Sequence, residues 1–401
     1  MQANTENIMD CFAAVMTGKG TGAIATVQVI GNSAEAVIKK VFKQAGTKPM
    51  KFKTGEIHVG TICDGNDVID QVTIGCEGLD TFAINSHGNP LIVEMIMQLL
   101  GQHGANLVTA EQLLTKTLSA HEQNNTITVE AKLAQAKART LEGTKIVANQ
   151  IDAGLTKKAG GWLESIDEIS LDTIKAEATQ ILQKSQAGKL IIYGCTAVLT
   201  GPPNSGKSTL LNCLAGRQKA IVTNIKGTTR DWVSARCRIG SLSVKLIDTA
   251  GLDEESAGPE DAIENAAHKK TSEILEQADI VLLVLDASRS IEEFDNQITK
   301  RFNDKKVITV LNKSDLPAKF DTNRLPETLS NTVQISAKEG TEIETLTEAI
   351  RQVSGTADFD CQQSVFFTNR QEDLLRRLID ADSRQQAAAI TIELLRDRLH
   401  I

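Results

Sequence analysis

Gly201-Pro-Pro-Asn-Ser-Gly-Lys-Ser208 is the stretch on which the reading of this chain turns. It matches G-x-x-x-x-G-K-[ST], a loop whose backbone N–H groups close around a polyphosphate. The two glycines permit the wrapping, and the inward amides form an anion nest. Lys207 is then placed to reach the β- and γ-phosphates, and the Ser208 hydroxyl to ligate Mg²⁺. Asn204, Ser205, Gly206 and Thr209 belong to the same cradle. The apolar run Thr196-Ala-Val-Leu-Thr200 predicts a strand leading in. Ser208-Thr-Leu-Leu-Asn-Cys-Leu214 predicts a helix leading out, its N-terminus offering partial positive charge to the phosphates.

Three further strings stand in order behind predicted strands. Asp248-Thr-Ala-Gly251 ends the run Ser243–Ile247, Asn312-Lys-Ser-Asp315 ends Val307–Leu311, and Ser336-Ala-Lys338 follows Val333-Gln-Ile335. Open α/β sheets bind ligands at the carboxyl ends of their strands, so order and position together exclude coincidence. The set resembles the D-x-x-G, N-K-x-D and S-A-K elements of the GTPase superfamily. That resemblance implies an Asp248 that approaches Mg²⁺ through water and a Gly251 amide that senses the γ-phosphate. It also implies a guanine pocket of Asn312, Lys313, Asp315, Ser336, Ala337 and Lys338. There the Asp315 carboxylate accepts from the ring N1–H and the exocyclic amine, a pair adenine does not present. Gly227-Thr-Thr-Arg-Asp231 occupies the place of the first switch, with Thr229 as Mg²⁺ and γ-phosphate ligand.

Leu252 follows the D-T-A-G string, where Ras-like enzymes carry a Gln that orients the attacking water. An apolar side chain cannot do that. GTPases with the signature seen here bridge the phosphates with a potassium ion instead. The resemblance assigns K⁺ to Asn204 and to Thr223, Ile225 and Thr228 of the switch stretch. Asn204 also reads as a simple cap of its own loop.

The whole pattern resembles the tRNA-modification GTPase family MnmE, also called TrmE. The residues that carry it are Gly201 to Asn212, Ala220-Ile-Val-Thr-Asn-Ile-Lys-Gly-Thr-Thr-Arg-Asp231 and Asp248-Thr-Ala-Gly-Leu252. Beyond them, Thr17 to Gly31 is similar to the family's opening glycine-rich segment, and Ser86-His-Gly-Asn-Pro90 to its H-G-G-P turn. Leu133-Ala-Gln-Ala-Lys-Ala138, Thr368-Asn-Arg370 and Glu393 to Leu399 echo its helices. The family places a catalytic Glu after D-T-A-G. Counting back from Ala278-Asp279 selects Glu264, whereas counting forward from Asp248 lands on Glu260. Both also read as solvated charges of an acidic loop.

Two departures bear on output. The sequence stops at Arg398-Leu-His-Ile401, where the family runs on to a C-x-G-K tail, so the thiol of that tail is expected to be missing. Gln28 stands where the family has an Arg, and Leu113 to Asn125 replaces the tract near its folate pocket. A tetrahydrofolate derivative is thus only weakly implied. His87 reads first as a hydrogen-bonded turn residue and second as a folate contact.

Changes in periodicity predict a multidomain α/β chain. Residues 1–112 alternate short strands with helices and predict an N-terminal α+β domain, which in the family dimerises. Residues 113–192 and 357–401 read as a helical domain, with Ile127–Ala153 and Leu171–Gln186 at helical spacing. Ala159-Gly-Gly161 reads as punctuation between its parts. The P-loop GTPase domain, a Ras-like mixed sheet over 193–356, is inserted into it, with a hairpin turn at Gly240-Ser241.

Composition fits a cytoplasmic enzyme. The chain has 401 residues, 41% of them hydrophobic, and no apolar run of membrane-spanning length. The first residues lack the basic start and apolar stretch of a signal peptide. Net charge is −8 and aromatics make up 3%, so neither a global field nor many stacking platforms draw RNA. Seven cysteines without C-x-x-C or Cys/His ligand spacing read as thiols in a reducing compartment.

The expectation is a potassium-dependent GTPase of the MnmE/TrmE type. It would bind GTP/GDP, Mg²⁺ and K⁺, and work as a homodimer with an MnmG (GidA)-like flavoprotein on the wobble uridine of tRNA. One rival is a GTP-switched interaction protein without tRNA chemistry. Another is a ribosome-assembly GTPase of the Era/EngA kind, which lacks the N-terminal domain.

Overall fold

The computed structural model describes residues 11–18, 20–46, 51–78, 80–121, 125–217, 234–249, 273–290, 302 and 305–396. Residues up to 123 form one unit and residues 124–397 another.

The first unit is built on β1 (Phe12–Val15), β2 (Ile24–Ile30), β3 (Phe42–Gln44), β4 (Ile57–Asp64), β5 (Asp67–Gly78), β6 (Thr81–His87) and β7 (Asn106–Leu107). They order as β3-β4-β5-β6-β2-β1-β7, antiparallel except for the β1–β7 pair. Alternate residues of β2 point inward, so Ala25, Val27 and Val29 are buried while Thr26 and Gln28 face away. The helices Ala34–Val41 and Pro90–Gln102 contribute Val37, Ile38, Ile96, Leu99 and Leu100 to the same core. Asn89 caps the second of these by accepting from Leu91 N, and Pro90 fits the first helical position, which needs no donor. The opposite face carries a polar ladder in which Thr26 Oγ1 donates to Asn85 Oδ1 at 2.8 Å and Gln28 Nε2 to Glu77 Oε2 at 2.8 Å. The helix Ala110–His121 runs through residue 112 and packs on β1, with Lys116 Nζ 4.5 Å from the Phe12 ring centroid.

In the second unit β8 (Cys195–Thr200), β9 (Ser234–Ile239), β10 (Leu242–Asp248), β11 (Ile280–Asp286), β12 (Lys306–Asn312) and β13 (Thr332–Gln334) order as β13-β12-β11-β8-β10-β9. All neighbours are parallel except β9–β10, a hairpin turned at Gly240 with φ 57°. Every residue of β11 is buried, as a central parallel strand covered on both faces must be. The mixed sheet expected for a Ras-like domain is therefore present.

Helices before and after this sheet share its core. Ile146, Trp162, Ile174, Ile191, Phe366 and Leu375 join one continuous apolar cluster with β8 and β10. The helix Leu171–Tyr193 runs to the start of β8, and Tyr193 Oη donates to Phe367 O at 2.7 Å where the chain returns. Glu130, 5% exposed, ties the returning helix Asn369–Ile379 to the helix Thr126–Lys137. Its carboxylate accepts from Thr368 Oγ1, Arg370 Nε and Nη2, and Gln371 Nε2.

One reading of this region needs correction, that of Ala159-Gly-Gly161. The helical stretch Ile127–Ala153 holds two helices. It breaks at Ala138-Arg139-Thr140, because Arg139 N donates to Ile192 O and Thr140 caps a new helix, Leu141–Asp152, through Gly143 N. Ala159-Gly-Gly161 is helical interior, within Leu155–Glu164. Burial of Leu155, Ala159 and Trp162 on one face outweighs the roughly 1 kcal/mol that each glycine costs a helix.

Candidate nucleotide-binding site

The carboxyl ends of β8, β10, β11 and β12 lie side by side, and each delivers a polar residue or a loop there. Gly201 leaves β8 with φ 140°, and a Cβ on it would stand 2.1 Å from Val284 O of β11. Gly206 has φ 98°, and its Cβ would stand 2.2 Å from Asn312 Nδ2. Only glycine lets the loop pass these two points. Lys207 opens the helix Lys207–Arg217, is 4% exposed, and donates from Nζ to Gly201 O at 2.7 Å and Pro202 O at 3.1 Å. The ammonium thus lies across the mouth of its own loop. Thr209 is exposed in the first turn of the helix.

Ser208 Oγ donates to Asp248 Oδ2 at 2.6 Å. This places a hydroxyl from the first turn of the helix after β8 beside a carboxylate at the end of β10, the hard-oxygen donor set that Mg²⁺ takes. The two residues fit such an ion. Thr249 turns inward instead, its hydroxyl donating to Leu199 O at 3.0 Å.

Asn312 joins three segments. Its Nδ2 donates to Ser205 O at 2.9 Å, and its Oδ1 accepts from Ala337 N at 2.9 Å. Ser336 Oγ donates to Asp315 Oδ1 at 2.6 Å, and this hydrogen bond holds the Asp315 carboxyl below the usual carboxylate range. Asp315 is itself exposed, so its carboxylate is both aimed and open. Lys338 is exposed, 3.6 Å from Glu339 Oε1. Lys313 has φ 65° and Asn204 has φ 62°, and Lys313 Nζ donates to Asn204 O at 2.8 Å. Ser205 is 1% exposed, with no hydrogen-bond partner for its hydroxyl among the described residues.

The structure thus brings together Asn204, Ser205, Gly206, Lys207, Ser208, Asp248, Asn312, Lys313, Asp315, Ser336 and Ala337. Thr223, Ile225, Thr228, Thr229, Gly251, Glu260 and Glu264 lie outside the described residues.

Asp286 was not singled out in the sequence. It ends β11 in register with Asn312, and its Oδ2 accepts from Lys313 Nζ at 2.6 Å. Burial pushes its carboxyl up, but hydrogen bonds from Lys313 and Ser288 and the Lys313 charge outweigh this and hold it below the usual range. A signal was available: a lone acid closes the apolar run Ile280–Leu285, as Asp248 closes β10.

In the first unit His87 is not a turn residue but the last residue of β6, tied to β5: its N donates to Asp70 Oδ2 at 2.8 Å and its Nδ1 lies 2.7 Å from Asp70 Oδ1. The cysteines are free thiols; Cys195 and Cys237 are buried, and burial pushes both up to about 12. Among the described residues no His/Cys/Asp/Glu cluster could hold a metal ion, and no helix is long and apolar enough to cross a membrane.

A family profile described as 50S ribosome-binding GTPase matches residues 196–313, and one described as GTP-binding protein TrmE N-terminus matches residues 11–112. The tRNA modification GTPase MnmE of Acetivibrio thermocellus is 30% identical over 93% of this chain and 88% of its own length. That of Enterococcus faecalis is 32% identical over 79% and 75%, and that of Clostridioides difficile 28% over 92% and 87%. Among solved structures, an Aquifex aeolicus Era variant bound to GDP and aluminium fluoride is 32% identical, covering 40% of this chain and 56% of that chain, with a TM-score of 0.31. The G domain of T. maritima FeoB is 27% identical over 40% and 98%, with a TM-score of 0.31.

Proposed function

The chain belongs to the tRNA modification GTPase MnmE family, and on that premise we propose that its GTP hydrolysis is stimulated by K⁺ and drives modification of the wobble uridine of certain tRNAs. That it is a GTP-hydrolysing enzyme of tRNA modification follows from the family. The observation that carries the site assignment is the convergence of the phosphate loop, Ser208–Asp248 and Asn312–Ser205–Ala337 at the carboxyl ends of the parallel strands of one mixed sheet.

In this reading Lys207 exchanges its contacts with Gly201 O and Pro202 O for the β- and γ-phosphates. Ser208, with Asp248 beside it, would hold Mg²⁺, which would supply charge neutralisation to the phosphate oxygens. Asp315, ionised and steadied by Ser336, accepts from the guanine N1–H and amine. Asn204, in the left-handed region at φ 62°, would hold K⁺ together with Thr223, Ile225 and Thr228, and the ion would supply positive charge to the phosphates. Thr229 would be a further ligand of Mg²⁺, and Glu264 or Glu260 would orient the attacking water. The chain acts in the cytoplasm as a homodimer with an MnmG-like flavoprotein that shares the tRNA.

The test is mass spectrometry of tRNA wobble nucleosides from the source organism, with and without this gene, complemented by wild type or by Lys207→Ala. Loss of 5-carboxymethylaminomethyl-type uridines, restored only by wild type, is expected. An unchanged profile in the deletion strain would sink the tRNA reading and leave the rival, a GTP-switched interaction protein.

A further inference from the structure

Asp286 belongs to none of the nucleotide-binding strings, yet two of the site's loops are joined through it. Its side chain is 6% exposed. Its Oδ1 accepts from Ser288 N at 3.0 Å and Ser288 Oγ at 2.6 Å, which holds the carboxylate in one rotamer. Its Oδ2 accepts from Lys313 Nζ at 2.6 Å, with Arg289 Nε 3.6 Å away. The same Lys313 ammonium donates to Asn204 O, in the phosphate loop, at 2.8 Å.

A lysine ammonium is a point charge on a flexible stem, and a single acceptor does not fix it in place. Two acceptors on different segments do. Lys313 and Asn204 both sit at positive φ, 65° and 62°, a region that asparagine enters readily but that lysine keeps only where its surroundings hold it. The hydrogen bond between them, backed by the buried carboxylate, is such a hold. We propose that Asp286 is a positioning residue for guanine-nucleotide binding: it pins the Lys313 ammonium against the Asn204 carbonyl and so locks the base-reading loop to the phosphate loop. Asp286 itself touches no part of the nucleotide and acts through Lys313. Guanine choice is anchored separately, by Asp315 on Ser336, so losing Asp286 lowers affinity and leaves the preference for guanine over adenine intact. The inference rests on the assignment of these loops to a guanine nucleotide.

The experiment titrates a fluorescent GDP analogue into full-length wild type, Asp286→Asn, Lys313→Ala and the double variant, with unlabelled GDP and ADP as competitors. Asn keeps the side-chain size and the Ser288 contacts while removing the charge. Asp286→Asn is expected to weaken GDP binding about tenfold, the weight of one charge-assisted hydrogen bond. It should add no loss in the Lys313→Ala background, and the GDP-to-ADP ratio should not change. Wild-type affinity in Asp286→Asn, or losses that multiply in the double variant, would overturn the proposal. Should Asp286→Asn fold poorly, Ser288→Ala frees the same carboxylate and is expected to weaken GDP binding twofold or more, again only when Lys313 is present. No loss in Ser288→Ala counts against the proposal. A wild-type chain that binds no GDP overturns the nucleotide assignment itself, a result distinct from the others.

Discussion

Gly206→Ala probes the phosphate loop where it is tightest. The residue has φ 98°, and holding an alanine in so sparsely populated a region costs about 1–3 kcal/mol. The new Cβ would also stand 2.2 Å from Asn312 Nδ2, which donates to Ser205 O at 2.9 Å. Relieving that overlap moves the Asn312 amide and breaks the bond, for about another 1 kcal/mol. The total is about 2–4 kcal/mol. A free loop can relax away from the strain, but a loop closed on a phosphate has to re-enter it, so the cost appears as lost binding rather than as unfolding. At 1.4 kcal/mol per tenfold, GDP affinity should fall roughly 30- to 700-fold. The assay is calorimetric titration of GDP with saturating Mg²⁺, with thermal unfolding of the nucleotide-free chain as control. Gly216→Ala, where a Cβ would meet nothing within 4 Å, should bind as wild type does. A Gly206→Ala affinity within about threefold of wild type would refute the account of the loop.

GTP hydrolysis should run several-fold faster in KCl than in NaCl at equal ionic strength, and equal rates would remove the potassium role given to Asn204. The Ser336 hydrogen bond depresses the Asp315 carboxyl, so its ionised form persists down to its lowered folded value and is lost only below it. Guanine binding should therefore stay flat on acidification to the ordinary aspartate range, about pH 4; a decline centred a unit or more above that, with the circular dichroism unchanged, would contradict this. Arg370→Ala strands the nearly buried Glu130 without its cation and should destabilise the chain by about 3–5 kcal/mol in denaturant unfolding. A loss below about 1 kcal/mol would show that Glu130 is held well enough by Thr368 and Gln371.

Legibility differed by range. The hairpin at Gly240, the strand β12 and the helix after the phosphate loop could be read because each follows from local pattern: a turn glycine, an apolar run, an amphipathic repeat. The division of Ile127–Ala153 could not be read that way. Thr140 is a strong capping residue, worth about 1 kcal/mol, but nothing local says that Arg139 N finds Ile192 O instead of continuing a helix. The Gly160-Gly161 pair misled for the converse reason, since tertiary burial of Trp162 overrode a local breaker signal. The lone acid that closes Ile280–Leu285 marks a strand end at the site but not what Asp286 does there, since that depends on which strand lies beside it.

By itself the sequence determined the phosphate loop, the order of the nucleotide-binding strings and the kind of sheet that presents them. Backbone nests and guanine edges require particular residue types at short, invariant spacings, and such spacings are written in the chain. Only the tertiary structure decided that Ser208 meets Asp248, that Asn312 stands where a Cβ on Gly206 would go, and that Asp286 reaches Asn204 through Lys313. Those contacts join residues far apart along the chain. They exist because β8 inserts between β10 and β11, a pairing set by burial of apolar strands on both faces rather than by any short string.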